Sequence, residues 1–254
     1  MDFLNEWYGI LAFVLFDAVA LIAAIAITYR WLFKRILDFL FAGLCILLLS
    51  PVYLAFFFVG LSQKKHGKID ALITKKLFVG KKEKEILLHF YTTETAEEKE
   101  SRFCKFLFQS GWYKLPLLWD VFLGRLSFVG CKAFRPSEHF FLDEVEKDRT
   151  ISRPGLINPL VLGGDKHTDY QEMLISDKKY AWRFSLGRDF RIFFSWLLRL
   201  IRGEQKEALG ITIKKPYTKA LLDEGKISKE DYEKVLLWDA VHNEKEKIEN
   251  MQST

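Results

Sequence analysis

Two stretches of this chain are almost continuously apolar: WYGILAFVLFDAVALIAAIAIT from Trp7 to Thr28, and ILDFLFAGLCILLLSPVYLAFFFVGL from Ile36 to Leu61. Each matches the ~20 residues a helix needs to cross a bilayer, so a membrane-anchored chain is expected. The remainder mixes charged and hydrophobic residues as a soluble body does. The first run follows Asp2 and Glu6. A cleaved signal peptide starts instead with a basic segment, so a retained transmembrane helix over residues 1–30 is expected, although Ala24 and Ala26 offer small residues for cleavage. Trp7, Tyr8 and Tyr29 sit where interfacial aromatics belong. No Lys or Arg precedes the run, while Arg30, Lys34 and Arg35 follow it. That asymmetry puts the N-terminus outside and the body in the cytoplasm. Near the centre of the helix lies Asp17, a carboxylate that costs about 2.5 to 3.5 kcal/mol on insertion scales and so points to a partner within the membrane.

The second run carries Ser50-Pro51 at its middle and basic residues at both ends, Lys34 and Arg35 before it and Lys64 and Lys65 after it. Proline inside a helix removes a hydrogen bond and clashes with the preceding turn. A re-entrant helix over 31–63 that returns to the same side and a second span kinked at proline fit these residues equally. The lysines at 64, 65, 68, 75, 76, 81, 82 and 84 adjoin this element. Each adds about 1 kcal/mol of attraction to an anionic leaflet, and with no reading helix beside them a nucleic-acid partner is not expected. Three cysteines form no disulfide framework, and the five histidines lack metal-ligand spacing.

Behind the lysines, ALITKKLFVGKKEKEILLHFYT alternates as a β-hairpin with its turn in GKKEKE. TAEEKESRFCKFLFQSGW has helical spacing, and KLPLLWDVFLGRLSFVG reads as a short helix from Pro116 to about Gly124 followed by a buried extended piece. Phe190, Phe193, Phe194, Leu197, Leu198 and Ile201 recur at helical spacing among Arg191, Arg199 and Arg202. That cationic helix suits either a membrane surface or a packed core. In the tail, Ser228 caps a helix ahead of Asp231, and Leu236, Leu237, Trp238 and Val241 form one apolar face.

The order of landmarks resembles the monotopic polyprenol-phosphate phosphoglycosyl transferases, or bacterial sugar transferases. The resemblance runs from about Tyr29 to Gly203 through FKRILD, Ser50-Pro51, Val79-Gly80, Phe90, KFL at 105–107, LPLLWDVFLGRLSFVG, RPG at 153–155 and RFSLGRDFRIF. It implies a mainly helical, membrane-anchored α+β fold, with a transmembrane helix, a re-entrant helix broken at Ser50-Pro51, a cytoplasmic domain over 64–203 and a helical tail over 204–254. It also implies residence in a bacterial inner membrane and transfer of a phosphosugar from a UDP-sugar to polyprenol phosphate. Family members are described as using an adjacent Asp-Glu pair with magnesium, because a phosphoenzyme needs an anionic oxygen nucleophile and the metal needs hard oxygen ligands.

That pair directly precedes the Leu-Pro found here as Leu115-Pro116, and this chain holds Tyr113 and Lys114 instead. Other polar positions depart as well: Lys76, Leu77 and Phe78 replace a glutamine-glutamate-arginine run; Cys131, Lys132 and Ala133 replace Pro-Arg-Pro; and Ile157-Asn158 replace Thr-Gly. The expectation is a pseudoenzyme, a scaffold or subunit that partners a membrane protein or a second copy of itself and needs no cofactor. One alternative is an active transferase, dependent on Mg2+, with its acid moved to Asp120, Glu138 or Asp143 or with Tyr113 as nucleophile. Another is a non-catalytic binder of lipid phosphate or nucleotide, with Lys132, Arg135 and Arg153 as candidate phosphate contacts.

Overall fold

The computed structural model describes residues 7–28, 33–67, 69, 71–93, 101–163, 170–202 and 216–252. Asp2, Glu6, Tyr29, Arg30, Lys68, His167 and the stretches 94–100 and 204–215 lie outside the described residues, as do the side chains of Tyr8, Ala24, Ala26 and His242.

Helix α1 covers Trp7–Thr28. Its side chains from Ile10 to Leu21, Asp17 among them, are exposed. Helices α2 (Lys34–Leu48) and α3 (Ser50–Lys65) follow. Among the described residues no single helix is long and apolar enough to cross a membrane, whereas α2 and α3 together are, bent by 62°. The bend falls at Leu49, one residue before Ser50-Pro51, with Pro51 in the first turn of α3. There the missing N–H costs nothing, since the first amides of a helix have no partner within it. Proline therefore starts the second arm of the bend as well as ending the first.

The body is mainly helical α+β with two small sheets. Strands β1 (Ile73–Val79) and β2 (Glu85–Tyr91) pair antiparallel, Val79 opposite Glu85 at the turn, as the alternation predicts. Helix α4 (Arg102–Ser110) starts where the Ser101 hydroxyl accepts from the Cys104 amide, and ends at Gly111 with φ +80°. Helix α5 (Leu117–Phe122) sits behind Pro116 and leads into β3 (Ser127–Val129), which pairs in parallel with β4 (Gly155–Ile157). Two short helices, α6 (Pro136–His139) and α7 (Glu144–Lys147), fill the connection between β3 and β4. Helices α8 (Tyr170–Arg183) and α9 (Leu186–Ile201) cover β4, and α10 (Tyr217–Asp223) and α11 (Lys229–Gln252) close the chain.

The basic entry FKRILD, read above as a topological signal, also clamps the bent pair to the body. Lys34 Nζ donates to the Val129 carbonyl and the Tyr180 hydroxyl, both at 3.0 Å, and pairs with Asp189. Arg35 donates to the carbonyls of Val121 and Phe122 at 2.6 Å each. Asp38 accepts from the Ser127 hydroxyl at 2.6 Å and the Phe128 amide at 3.0 Å. Helix α9 is two-sided: Ile192 is fully buried with Phe193 and Trp196 packed beside it, while Phe190, Phe194, Leu198 and Ile201 face outward.

The tail docks by a different face from the one its apolar residues suggest. Tyr217 and Leu221 join a core with Phe134, Leu142, Tyr170, Met173 and Leu174. Along α11 the less exposed positions are Tyr232, Val235 and Asp239, with Asp239 accepting from the Ser137 hydroxyl at 3.0 Å. Leu236, Leu237, Trp238 and Val241 remain exposed. The predicted Ser228 cap forms, its hydroxyl accepting from the Asp231 amide at 3.1 Å.

Breaking the Lys34–Asp189 pair from one side strands a largely buried charge. Asp189→Ala should lose about 3 to 5 kcal/mol of stability. Lys34→Met combined with Asp189→Ala should recover most of that loss in thermal unfolding of the detergent-purified chain. A single variant as stable as the wild type would show that the clamp is dispensable.

Candidate functional site

The loops that would carry the reaction converge where β1 and β3 end and β4 begins. Val129-Gly130 and Pro154-Gly155 approach so closely that a Cβ on Gly130 would lie 2.4 Å from the Arg153 carbonyl oxygen, and one on Gly155 2.1 Å from the Gly130 nitrogen. Gly130 donates to Ile157 at 3.0 Å and Gly155 to Cys131 at 2.9 Å. Both glycines are therefore demanded by backbone crossing, whatever the loops bind.

Tyr113 and Lys114 lie in the short 3-10 turn Trp112–Lys114. The Tyr113 ring stacks between Phe90, 6.2 Å away, and Phe108, 5.9 Å away, and burial holds its phenol above the usual range. That favours the neutral hydroxyl over the phenolate a nucleophile requires. Lys114 Nζ lies 5.4 Å from the Tyr113 ring centre, and burial followed by the charge of Lys132 pushes its amine down to about 8.

Lys132 is itself buried, its ammonium 5.0 Å from the Tyr170 ring and 5.2 Å from the Phe134 ring. Behind it Arg149, which sequence reasoning missed, is 3% exposed. The Arg149 guanidinium stacks 3.8 Å over Phe134, donates to the Lys132 carbonyl and pairs with Asp177 at 2.5 Å. Asp177 also accepts from the Lys132 amide at 3.1 Å and from Asn158 Nδ2 at 2.9 Å. The signal lay in α8, where Tyr170, Met173, Leu174, Asp177, Tyr180 and Ala181 share the buried face. One acid on such a face requires a cationic or multiply donating partner. Cys131 is buried between the Ser152 hydroxyl and the Asp177 carbonyl, and burial raises its thiol.

The candidate phosphate contacts have different neighbours. Lys132 joins Arg149 and senses Lys114, whereas the charge of Arg153 falls on Lys81, whose amine is lowered first by burial and then by Arg153. Arg135 donates its backbone amide to Glu138 at 3.1 Å at the start of α6. The cavity among these loops is lined by Val79, Gly80, Lys132, His139, Arg149 and Ser152, with others, and encloses about 10 Å3, room for one water.

The three displaced-acid candidates are each engaged in holding the fold. Asp120 is fully buried and accepts from the His89 amide at 2.8 Å and from Arg125 at 2.9 Å, and its other contact is the His89 ring at 2.8 Å. Glu138 accepts from the amides of Arg135 and Tyr217, and Asp143 accepts from the Glu146 amide at 2.6 Å as a helix cap. Among the described residues no group of three or more His, Cys, Asp or Glu is placed to hold a metal ion. The donors beside Leu115-Pro116 are a phenol and an ammonium, which do not suit the hard, anionic coordination that magnesium takes.

Residues 29–203 match the family described as Bacterial sugar transferase, and the chain belongs to that family. A comparison with curated proteins finds no match.

Burial favours the neutral amine of Lys132, moving it from 10.5 down to about 8. Between those values the unfolded chain binds the proton more tightly than the folded one, so stability rises with pH across that window. Relative to Lys132→Met, the wild-type denaturation midpoint should climb between those two pH values. Parallel pH profiles for the two proteins would mean the ammonium is solvated.

Proposed function

We propose that this chain is a non-catalytic member of the family: a membrane-seated protein that keeps the transferase shape and acts as a scaffold or subunit of a membrane complex in envelope-glycan assembly. The observation that carries this reading is the reversal of charge at the reaction centre. Lys114 takes a position where the family's mechanism uses a carboxylate, a second buried amine at Lys132 lies near enough to lower it, and Tyr113 is wedged neutral between two rings. A divalent cation about 5 Å from one ammonium is repelled by roughly 7 kcal/mol at an effective dielectric of ~20.

The membrane seat is supported by the bent apolar pair α2–α3 and by the family's general association with membranes. A role beside another protein is supported by α1, whose described side chains from Ile10 to Leu21 are exposed around an acid at Asp17. A carboxylate at that depth is stabilised by a hydrogen-bond donor or a cation from a neighbouring helix.

Purified protein incubated with UDP-sugars and undecaprenyl phosphate should release no UMP with or without magnesium. Tyr113→Asp combined with Lys114→Glu should stay equally silent, because Leu77 and the Cys131–Ala133 segment would still leave metal and nucleotide unplaced. UMP release by the wild type would overturn the reading. Release by the double variant alone would show that the rest of the pocket is intact.

A further inference from the structure

The outward side of α8 and α9 carries a groove that none of the chemistry above uses. It is lined by Ile175, Lys178, Lys179, Trp182, Arg183 and Arg188 and encloses about 710 Å3. Four of these side chains are cationic and none is acidic. Ile175 and Trp182 are about half exposed. The indole is oriented by a hydrogen bond from its Nε1 to Asp148 at 3.3 Å, and Arg188 is held by donating to the Lys179 carbonyl at 3.1 Å. The groove thus has a fixed wall and a concentrated positive charge.

Next to it runs the exposed apolar stripe of α9: Phe190, Phe194, Leu198 and Ile201. At 3.6 residues per turn, Arg188, Arg191, Arg199 and Arg202 fall along one flank of that stripe. Cations beside a row of large apolar side chains make a helix that lies in a membrane interface, and an indole belongs at headgroup level. The groove continues the arginine flank at the helix's N-terminal end.

We propose that this groove binds the phosphate headgroup of an anionic phospholipid, whose acyl chains lie along the α9 stripe. The stripe favours a lipid over a free phosphate, which would have no use for it. A lipid is also favoured over an acidic protein segment, because the apolar and cationic surfaces are arranged side by side along one helix, as the two parts of a lipid are. The proposal rests on the membrane-seated reading above.

The test uses the full chain in phosphatidylcholine nanodiscs containing brominated phosphatidylglycerol or, alternatively, brominated phosphatidylcholine. The emission of Trp182 is taken as wild type minus Trp182→Phe. Quenching should be roughly tenfold stronger by the anionic lipid, and Lys179→Glu with Arg183→Glu should bring the two lipids to parity. The milder pair Lys179→Gln with Arg183→Gln should fall between, which separates lost charge from lost folding. Equal quenching by both lipids in the wild type, or an undiminished preference in the charge-reversed variant, overturns the proposal. So does abolition of the preference by inorganic phosphate, which marks a soluble-phosphate site, or by polyglutamate, which marks a protein-docking site. Co-elution with the disc is scored separately. A chain that never enters the disc defeats the membrane reading and this proposal with it, whereas one that enters and shows no preference defeats the proposal alone.

Discussion

Lys34 is the point at which the two parts of this protein are joined. Its single ammonium reaches the end of β3 through the Val129 carbonyl, α8 through Tyr180 and α9 through Asp189. The Tyr180 hydroxyl donates to Asp189 at 2.6 Å and lies 3.0 Å from the Val129 carbonyl, so the four groups close on one another. Arg35 and Asp38, one and four residues on, fasten α2 to α5 and β3. A buried charge with several partners is tolerated only while all of them stay in place. The position of the bent apolar pair relative to the reaction loops is therefore set by electrostatics at the foot of α2, and hydrophobic packing fills in around it.

The shape is held by contacts within the chain that do not depend on the proposed reaction centre. Gly130 and Gly155 are required by a backbone crossing. Arg149, Asp177 and Asn158 bind one another behind the loops, and Asp120 secures β2 through His89. Each of these contacts is made to another part of the chain. The side chains that stand at the family's polar positions in this chain are an aromatic ring, two amines and a thiol, of which Lys132 and Cys131 are buried. The replacements also pack: Tyr113 lies against the cores that hold Phe90 and Leu107, so reversing them would cost stability as well as restore charge.

Local features were legible in the sequence. The hairpin, the α5 helix behind Pro116, the Ser228 cap and the break near Ser50-Pro51 all follow from residues within a turn or two of one another. The contacts that sequence reading did not find join residues far apart: Lys34 with Asp189, Arg149 with Asp177, and Tyr217 with Phe134. FKRILD reads as a charge flank because its partners lie in other elements, and along α11 the apolar residues Leu236, Leu237, Trp238 and Val241 stand out in the pattern while the less exposed positions are Tyr232, Val235 and Asp239. Asp177 could have been flagged as an acid on an apolar helix face. Its arginine could not have been named without the fold.

The central claim, that the reaction centre has lost its nucleophile and its metal together, meets its most direct test in a search for a covalent intermediate. The wild-type chain would be incubated with a UDP-sugar and magnesium in the absence of lipid acceptor, quenched, digested and examined by mass spectrometry for a phosphosugar on any side chain. The account predicts that peptides carrying Tyr113, Asp120, Glu138 and Asp143 are recovered without added mass. A phosphosugar adduct on any one of them would contradict it and would identify the displaced nucleophile.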